Sequence, residues 1–217
     1  MNIEGYNRNK FYLSKVISDY KPMFIFLQEH WLPDYETSNK LSRDFLKYRF
    51  LTTSADMFTA SEDKMLESGP IWHGTALGWT ENVDKYISRL PIISERFCGV
   101  KYSDKVTNTN ILAYTAYLPT SGKDDEFSDC LSCVSNYIEE NCDPSDGVLI
   151  GSDTNCSEKS TPRRVRLYRD FCEKLDLLKV GSVSPTFHHN NSTSESNIDT
   201  FLISRNMTDK LGKIVVH

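Results

Sequence analysis

Three short polar segments of this sequence carry side chains that can perform acid–base and metal chemistry. They are Leu27-Gln28-Glu29, Gly151-Ser152-Asp153-Thr154-Asn155 and Ser196-Asn197-Ile198-Asp199. Each lies inside or at the C-terminal end of an apolar run that is typical of a buried strand. Strand ends that converge place acidic and amide side chains around one point, and packed carboxylates need a compensating hard cation, usually Mg²⁺. The segments therefore predict a magnesium site.

The pair Asp153 and Asn155 is the most specific of these features. Alternation along a strand predicts that both side chains point to the same side, where they can hold an attacking water and a phosphate oxygen. An Asx turn after the strand is the alternative explanation of this pair. For an isolated Glu29, the alternative is a solvated strand end.

The elements that must position these side chains alternate along the chain. Patterns typical of strands occur at 23–27, 75–79, 97–102, 110–118, 148–150 and 198–204. Helical patterns occur at about 8–20, 36–47, 127–138 and 162–175. Thr161 or Ser160 can cap the last of these helices, with Pro162 at its first position. Residues 52–70 and 181–197 are polar and predict loops. The interleaving predicts a layered α/β or α+β domain.

Composition limits the class of protein. The 217 residues are 39% hydrophobic and 25% charged, as expected for one globular domain with a full core. Without an apolar run of roughly 18 residues or a signal peptide, we expect no membrane segment and an intracellular location, nuclear or cytoplasmic. The six scattered cysteines favour reduced thiols, and the Cys130-x-x-Cys133 pair lacks a second ligand pair for zinc. The net charge of −5 argues mildly against tight duplex binding by this domain alone.

In their order and spacing, the three segments resemble the endonuclease/exonuclease/phosphatase superfamily. Asn2-Ile3-Glu4-Gly5 is similar to the first strand of that family. The resemblance covers Asn2 to about Ser204 and implies a four-layer sandwich, with two packed mixed β-sheets flanked by helices. The segments 26–33, 96–100 and 185–199 are most like endonuclease domains of non-LTR (LINE-like) retrotransposons.

The resemblance also implies a role for each matching residue. Glu29, with Asn2 and Glu4, would hold Mg²⁺, with Mn²⁺ as the alternative ion. An exposed N-terminal tetrapeptide is the alternative explanation of Asn2 and Glu4. Mg²⁺ binds few protein oxygens and keeps several waters, so one firm carboxylate is enough.

Four further residues would act on the substrate. Asp153 would orient or deprotonate the water, or protonate the leaving group, and Asn155 would stabilise the developing charge. Tyr117 would lie near the substrate phosphate, with core packing as the alternative explanation. Asp199 would orient a catalytic histidine.

Other polar residues receive weaker interpretations. We expect a loop or substrate-contact role for His188 and His189 and a structural role for His73. Four arginines on the helix after Asn155 form either a solvated face or a phosphate-contacting surface: Arg163, Arg164, Arg166 and Arg169.

The resemblance implies a Mg²⁺-dependent phosphodiesterase, a DNA endonuclease that nicks target DNA for a reverse transcriptase in a longer polyprotein. The alternatives are a phosphoesterase for RNA, inositol phosphate or sphingolipid, and a non-catalytic remnant that binds nucleic acid or nothing. Oligomeric state stays open. The sequence ends with Val215-Val216-His217, before the Ser-Asp-His segment that the resemblance implies for the general base. We therefore expect a domain cut short, with weak or no activity.

Overall fold

The computed structural model describes residues 1–54, 73–181, 187–188 and 195–210. The helices in these ranges are α1 (Tyr6–Tyr20), α2 (Asp34–Asp44), α3 (Asp124–Asn141) and α4 (Pro162–Lys174). The strands are β1 (Phe24–Gln28), β2 (Tyr48–Thr53), β3 (Thr75–Thr80), β4 (Ile87–Arg89), β5 (Phe97–Asp104), β6 (Thr109–Tyr117), β7 (Gly147–Asp153), β8 (Leu177–Gly181), β9 (Phe187–His188), β10 (Glu195–Ser196) and β11 (Asp199–Ser204). Two 3₁₀ helices span Glu81–Tyr86 and Arg205–Lys210.

Two sheets form the centre of the fold. The smaller sheet has the antiparallel order β1-β3-β2, and Asn2 adds a parallel bridge to Gln28 at the edge of β1. The larger sheet has the order β4-β5-β6-β7-β11-β8. Its strands are antiparallel except for the parallel pair β6–β7, which α3 connects. Strands β9 and β10 form a separate short ladder.

Three apolar clusters hold four layers together. The first lies between α1, α2 and the smaller sheet, the second between the two sheets, and the third between the larger sheet and helices α3 and α4. Apolar stripes on the helices explain this packing: the α3 residues Phe127, Leu131, Val134 and Ile138 are all buried. The predicted fold class, two β-sheets flanked by helices, is confirmed.

The centre of the sandwich also contains a polar link between the sheets. Gln28, at the end of β1, is fully buried. Its Nε2 atom donates to Thr115 Oγ1 at 2.7 Å and to Gly151 O at 3.1 Å, both in the larger sheet. Thr115 Oγ1 donates in turn to Leu27 O at 3.2 Å. Buried polar groups that are paired in this way fix the relative position of the two sheets.

The sequence patterns missed three strands of the two sheets, together with the short strands β9 and β10 inside the loop predicted at 181–197. Residues 48–53, at the boundary between a predicted helix and a predicted loop, form β2, and residues 177–181 form β8. The third, β4, is only three residues long and pairs with β5. Most of the loop predicted at 52–70 lies outside the described residues.

All six cysteines are free. Within the described ranges, every helix is too short or too polar to cross a lipid bilayer.

Candidate active site

Asn2 joins the two sheets at one edge of the sandwich. The N-terminal segment lies beside β1, where Ile3 N donates to Gln28 O at 3.0 Å. The Asn2 side chain donates from Nδ2 to Asp153 Oδ2 at 2.9 Å, and its backbone N–H donates to Asp199 Oδ1 at 3.1 Å. Asn2 therefore contacts two of the carboxylates that the sequence singled out.

Three strand ends of the larger sheet meet at this edge. Asp199 begins β11 and is paired directly with Asp153, the last residue of β7, while Tyr117 ends β6 and is paired with Asp153 on its other side. Directly paired residues place their side chains on the same face of a sheet. Sheet register therefore brings Tyr117, Asp153 and Asp199 together although they are far apart in the sequence.

The Asp153 carboxyl group is in an unusual electrostatic environment. Burial raises its pKa to about 6, and the negative charges of Asp199 and Glu29 raise it as well. Hydrogen bonds from Asn2 and from the backbone of Asn155 act in the opposite direction. A cation placed among these carboxylates would favour their ionised forms.

Glu29 reaches the cluster from the smaller sheet. It follows β1 directly, and its backbone carbonyl accepts the Gly5 N–H at 2.8 Å. The Tyr117 hydroxyl is hydrogen-bonded to the Glu29 carboxylate; burial first, and then this bond, raise the pKa of Tyr117. The phenol therefore stays protonated and acts as a donor to Glu29.

The backbone is strained at this edge. Glu4, Glu29 and Asn155 have positive φ angles of 39°, 56° and 45°. Residues other than glycine adopt this region rarely and at a cost, and such residues concentrate at functional sites. The backbone N–H groups of Glu4 and Asn155 donate to the side chains of Asn2 and Asp153, which helps to hold these conformations.

Asn155 is positioned by a turn. Strand β7 ends at Asp153, so strand alternation, the expected reason for a shared side, does not reach Asn155 and that explanation is wrong. Instead, Asp153 Oδ1 accepts the Asn155 N–H at 3.0 Å, as in the Asx turn that was the alternative. The Asn155 Nδ2 atom donates to Leu118 O at 2.8 Å, which ties the loop after β7 to the loop after β6.

Glu4 is the outermost of the predicted ligands. The residue is exposed, and its contact with the cluster is made by the backbone N–H, which donates to Asn2 Oδ1 at 3.0 Å. This bond orients the Asn2 amide so that Nδ2 faces Asp153. As a ligand, Glu4 stays a prediction.

Sequence reasoning missed the position of two residues beside Tyr117. The His73 ring lies 5.4 Å from the Tyr117 ring, and the Arg96 guanidinium carbon lies 5.6 Å from the same ring. Burial first, and then the charge of Arg96, lower the pKa of His73. Arg96 begins the segment 96–100 that carried the resemblance, but the sequence did not indicate a role for its side chain; only tertiary structure places both residues beside Tyr117.

The predicted basic face on α4 is interrupted, because Arg164 points inward and is fully buried. Its donors bond to three backbone carbonyls and one carboxylate: Asn155 O at 3.0 Å, Thr120 O at 3.3 Å, Pro119 O, and Asp124 Oδ1 at 3.2 Å. Its guanidinium carbon lies 3.8 Å from the centre of the Phe127 ring. Because Arg164 is buried, it belongs neither to a solvated face nor to a phosphate-contacting surface, and the prediction that placed it on such a face is wrong.

Two other arginines of that face have acidic neighbours. Arg163 forms an ion pair with Asp125 at 2.6 Å, and Arg169 lies 3.8 Å from Glu173. Arg166 is exposed. These contacts favour the interpretation as a solvated face.

The remaining predicted positions lie around the C-terminal part of the chain. His188 is in β9, where it is paired with Glu195. His189 and His217 lie outside the described residues. The Ser196-to-Asp199 segment is described, and Ile198 O accepts the Thr154 N–H at 2.8 Å, which holds this segment against the end of β7.

The donor set fits a magnesium ion. In the described part of the chain, no three His, Cys, Asp or Glu side chains form a group that could hold a metal. Mg²⁺ does not require such a group, because it keeps several waters and takes one or two carboxylates. The Glu29 carboxylate and the Asn2 amide oxygen are hard oxygen donors of the kind that this ion prefers, and the charges of Asp199 and Glu29 add to burial in raising the pKa of Asp153.

Comparison with known proteins shows the fold. No family model and no curated protein matches the sequence. An AP endonuclease from Archaeoglobus fulgidus is 14% identical, with a TM-score of 0.71 over 96% of this chain and 86% of that chain. The endonuclease domain of TRAS1, a telomere-specific non-LTR retrotransposon, is 13% identical, with a TM-score of 0.67 over 96% and 85%. A mannosyl-6-phosphatase from Bacteroides thetaiotaomicron is 13% identical, with a TM-score of 0.64 over 93% and 78%.

These proteins have different names, two endonucleases and one mannosyl-6-phosphatase, yet they share one architecture. The chain has the fold of these three structures, a sandwich of two β-sheets flanked by helices. Identities near 13% leave the substrate open.

Proposed function

We propose that this protein is a Mg²⁺-dependent phosphodiesterase and that its substrate is DNA. The observation that carries the proposal is the convergence of Asn2, Glu29, Tyr117, Asp153 and Asp199 at the edge where the two sheets meet. These side chains combine hard oxygen ligands with groups that can orient water and donate to a phosphate.

Each residue has a distinct part in the proposed hydrolysis. Glu29 and Asn2 hold Mg²⁺, which supplies Lewis-acid stabilisation of the phosphate charge when bound. Asp153, fixed by two hydrogen bonds, orients the attacking water or exchanges a proton with it. Asn155, held beside Asp153 by the turn, stabilises developing charge, and Asp199 orients a general base.

Within this class, we infer an endonuclease of the non-LTR retrotransposon type. Two observations support it: the segments 26–33, 96–100 and 185–199 resemble such domains, and the TRAS1 endonuclease domain shares the fold. On this proposal, the protein nicks target DNA, and a reverse transcriptase domain acts with it in a longer polyprotein.

A small phosphate ester is the second candidate substrate. The net charge of −5 is unfavourable for a DNA-binding surface, and a mannosyl-6-phosphatase has the same fold. Such a substrate would need the same metal site but no extended contact with a phosphate backbone.

Nicking of supercoiled plasmid with Mg²⁺ tests the proposal. We expect nicking that is weak without imidazole and stronger with it, and a loss of at least about 100-fold in Glu29→Gln and Asp153→Asn, because each removes a group that acts on the reacting phosphate. Asp125→Asn is the matched control, since Asp125 is exposed and pairs with Arg163. Parallel reactions contain imidazole, which can accept a proton and so tests the metal site separately from the general base.

A substrate panel separates the alternatives. Hydrolysis of inositol phosphates or sugar phosphates without plasmid nicking would support the small-ester candidate. Folded protein that binds Mg²⁺ but hydrolyses none of these substrates, with or without imidazole, would overturn the enzymatic proposal in favour of a non-catalytic protein.

A further inference from the structure

Two buried nitrogen atoms beside Tyr117 have no hydrogen-bond partner within the described ranges. They are Arg96 Nη1 and His73 Nδ1. Leaving a buried donor unpaired costs about 1–3 kcal/mol, and more for a charged group, so such atoms need an explanation. Arg96 Nη1 is a donor in every protonation state, so at a candidate active site a ligand with an acceptor oxygen would satisfy it; His73 Nδ1 donates only when it carries the ring proton.

Arg96 is fixed in position although Nη1 lacks a partner in the described structure. Its backbone carbonyl accepts the Tyr117 N–H at 2.8 Å, so the two residues are held side by side just before β5 and at the end of β6. Its guanidinium lies over the Tyr117 ring, and its side chain is only 18% exposed. The charge is therefore presented by a rigid part of the sandwich.

The ion pair between Arg96 and its chain neighbour is weak. Arg96 Nε lies 3.6 Å from Glu95 Oε1, which is longer than a hydrogen bond, and the Glu95 side chain is 30% exposed. This pair does not use Nη1, which has no partner in the described structure. A guanidinium presents paired donors that match two oxygens of a phosphate.

A chain of contacts connects the surroundings of Arg96 to Glu29, the proposed metal ligand. The His73 ring lies against Tyr117, and the Tyr117 hydroxyl is bonded to Glu29. An anion that contacts Arg96 and His73 would therefore lie next to Glu29.

We propose that Arg96, with His73 beside it, forms the subsite that binds an anionic phosphate oxygen of the substrate. The inference rests on the proposed phosphodiesterase function. This subsite differs from the expected basic face on α4, because the Arg96 guanidinium comes from the segment before β5 and lies beside Tyr117.

Side-chain NMR tests the subsite without any need for catalysis. In protein labelled with ¹⁵N-arginine, the Arg96 Nε resonance is identified by its loss in Arg96→Lys and is followed during titration with inorganic phosphate in the presence of Mg²⁺. We expect a saturable shift of this resonance and no shift for Arg49, which lies at the opposite end of the smaller sheet with its side chain 41% exposed. An unshifted Arg96 resonance at saturating phosphate would overturn the proposal.

DNA binding gives a second, independent measurement. In an Asp153→Asn background, Arg96→Gln should weaken the binding of a short duplex about 10-fold and lower the magnitude of the salt slope by about 0.9, the amount expected for one lost phosphate contact. Arg96→Lys should recover part of the affinity. Arg49→Gln, the matched control, should leave both quantities unchanged, and an equal effect of both variants would contradict a specific subsite.

The two experiments distinguish the two proposals. A phosphate-induced shift at Arg96 without hydrolysis of any substrate would retain the anion subsite and reject the proposed activity. Plasmid nicking that depends on Glu29, with neither a shift nor weaker binding in Arg96→Gln, would retain the activity and reject the subsite.

Discussion

Two arginines border the candidate site, and their surroundings differ. Arg164 comes from α4, is fully buried, and bonds through Nε, Nη1 and Nη2 to backbone carbonyls or to Asp124. Arg96 precedes β5, is partly exposed, and has a buried Nη1 atom without a partner in the described structure. Both carry the same charge beside an aromatic ring. Of these two, Arg96 is the one that retains hydrogen-bonding capacity for a ligand.

The difference shows that charge and position alone do not identify a binding residue. Arg164 uses its donors to join the loop after β6 to the loop after β7, and it thereby positions Asn155. A buried cation of this kind can be removed only at a high cost, whereas a site cation should contribute little to folding and much to binding. We therefore expect the loss of Arg164 to reduce mainly the stability of the fold and the loss of Arg96 to reduce mainly the binding of a ligand.

The largest expected effect is on folding, from Arg164→Met. This change leaves the carbonyls of Pro119, Thr120 and Asn155 without their donor, so we expect a loss of about 3 kcal/mol or more in the free energy of unfolding. Urea denaturation followed by circular dichroism measures it. Arg163→Met, on the exposed face of the same helix, should change stability by less than about 0.5 kcal/mol.

If the Arg164→Met protein were as stable as the Arg163→Met control, Arg164 would not be the structural arginine that the comparison requires. It would mean that water replaces the guanidinium at the three carbonyls. The buried network would then be a consequence of packing around Phe127 and would not determine the loop positions.

The comparison also shows how far sequence reasoning reaches. Local rules worked well for elements: Thr161 caps α4 as predicted, with Oγ1 accepting the Arg164 N–H at 3.2 Å, and Pro162 follows at the first position. The apolar run Phe24–Gln28 forms β1. The resemblance added the two-sheet sandwich, which periodicity alone could not show.

Tertiary placement was beyond those rules. Asp153 and Asp199 face each other because of strand register, and this register depends on pairing between distant strands. The strand β2 was missed because its sequence, YRFLTT, mixes polar and apolar residues and follows a helical pattern without a break. Its central residues are buried only because α2 and the second sheet cover both faces.

The candidate site was only partly predictable, because local sequence patterns mark some of its residues and tertiary structure alone places the others. Polar residues at strand ends are visible in a sequence, so Glu29, Asp153 and Asp199 could be selected. The roles of Arg96 and Arg164 could not, because one sequence position cannot show whether a guanidinium points inward or outward. That distinction depends on burial and on the hydrogen-bond partners of each nitrogen atom.

A smaller effect on folding is expected from Arg96→Met. The variant removes one long ion pair and one unpaired buried donor, so its free energy of unfolding should stay within about 1 kcal/mol of the unaltered protein. Urea denaturation under the conditions used for Arg164→Met measures it directly. A loss as large as that of Arg164→Met would break the comparison, because Arg96 would then be a second structural arginine.

The smallest effect concerns the carboxylate partner of Arg164. Hydrogen bonds from Thr161, and then from Arg164, hold the pKa of Asp124 below its ordinary value. A carboxyl group whose pKa is lowered by folding stabilises the protein above its unfolded-state pKa of about 4, and this contribution is lost as the pH falls through the lower folded-state pKa. The unaltered protein should therefore be more stable than Asp124→Asn near neutral pH, and the difference should shrink as the pH falls below about 4.

Urea denaturation of both proteins from neutral to acidic pH measures this difference. The same pair of measurements in an Arg164→Lys background sharpens the assignment, because a lysine keeps the charge but loses the planar fork. A stability difference between the unaltered protein and Asp124→Asn that does not vary with pH would mean that the carboxylate acts only as a neutral hydrogen-bond acceptor for Thr161. In that case, the backbone carbonyls alone would account for the role of Arg164, and the contrast with Arg96 would depend on hydrogen bonds and not on charge pairing.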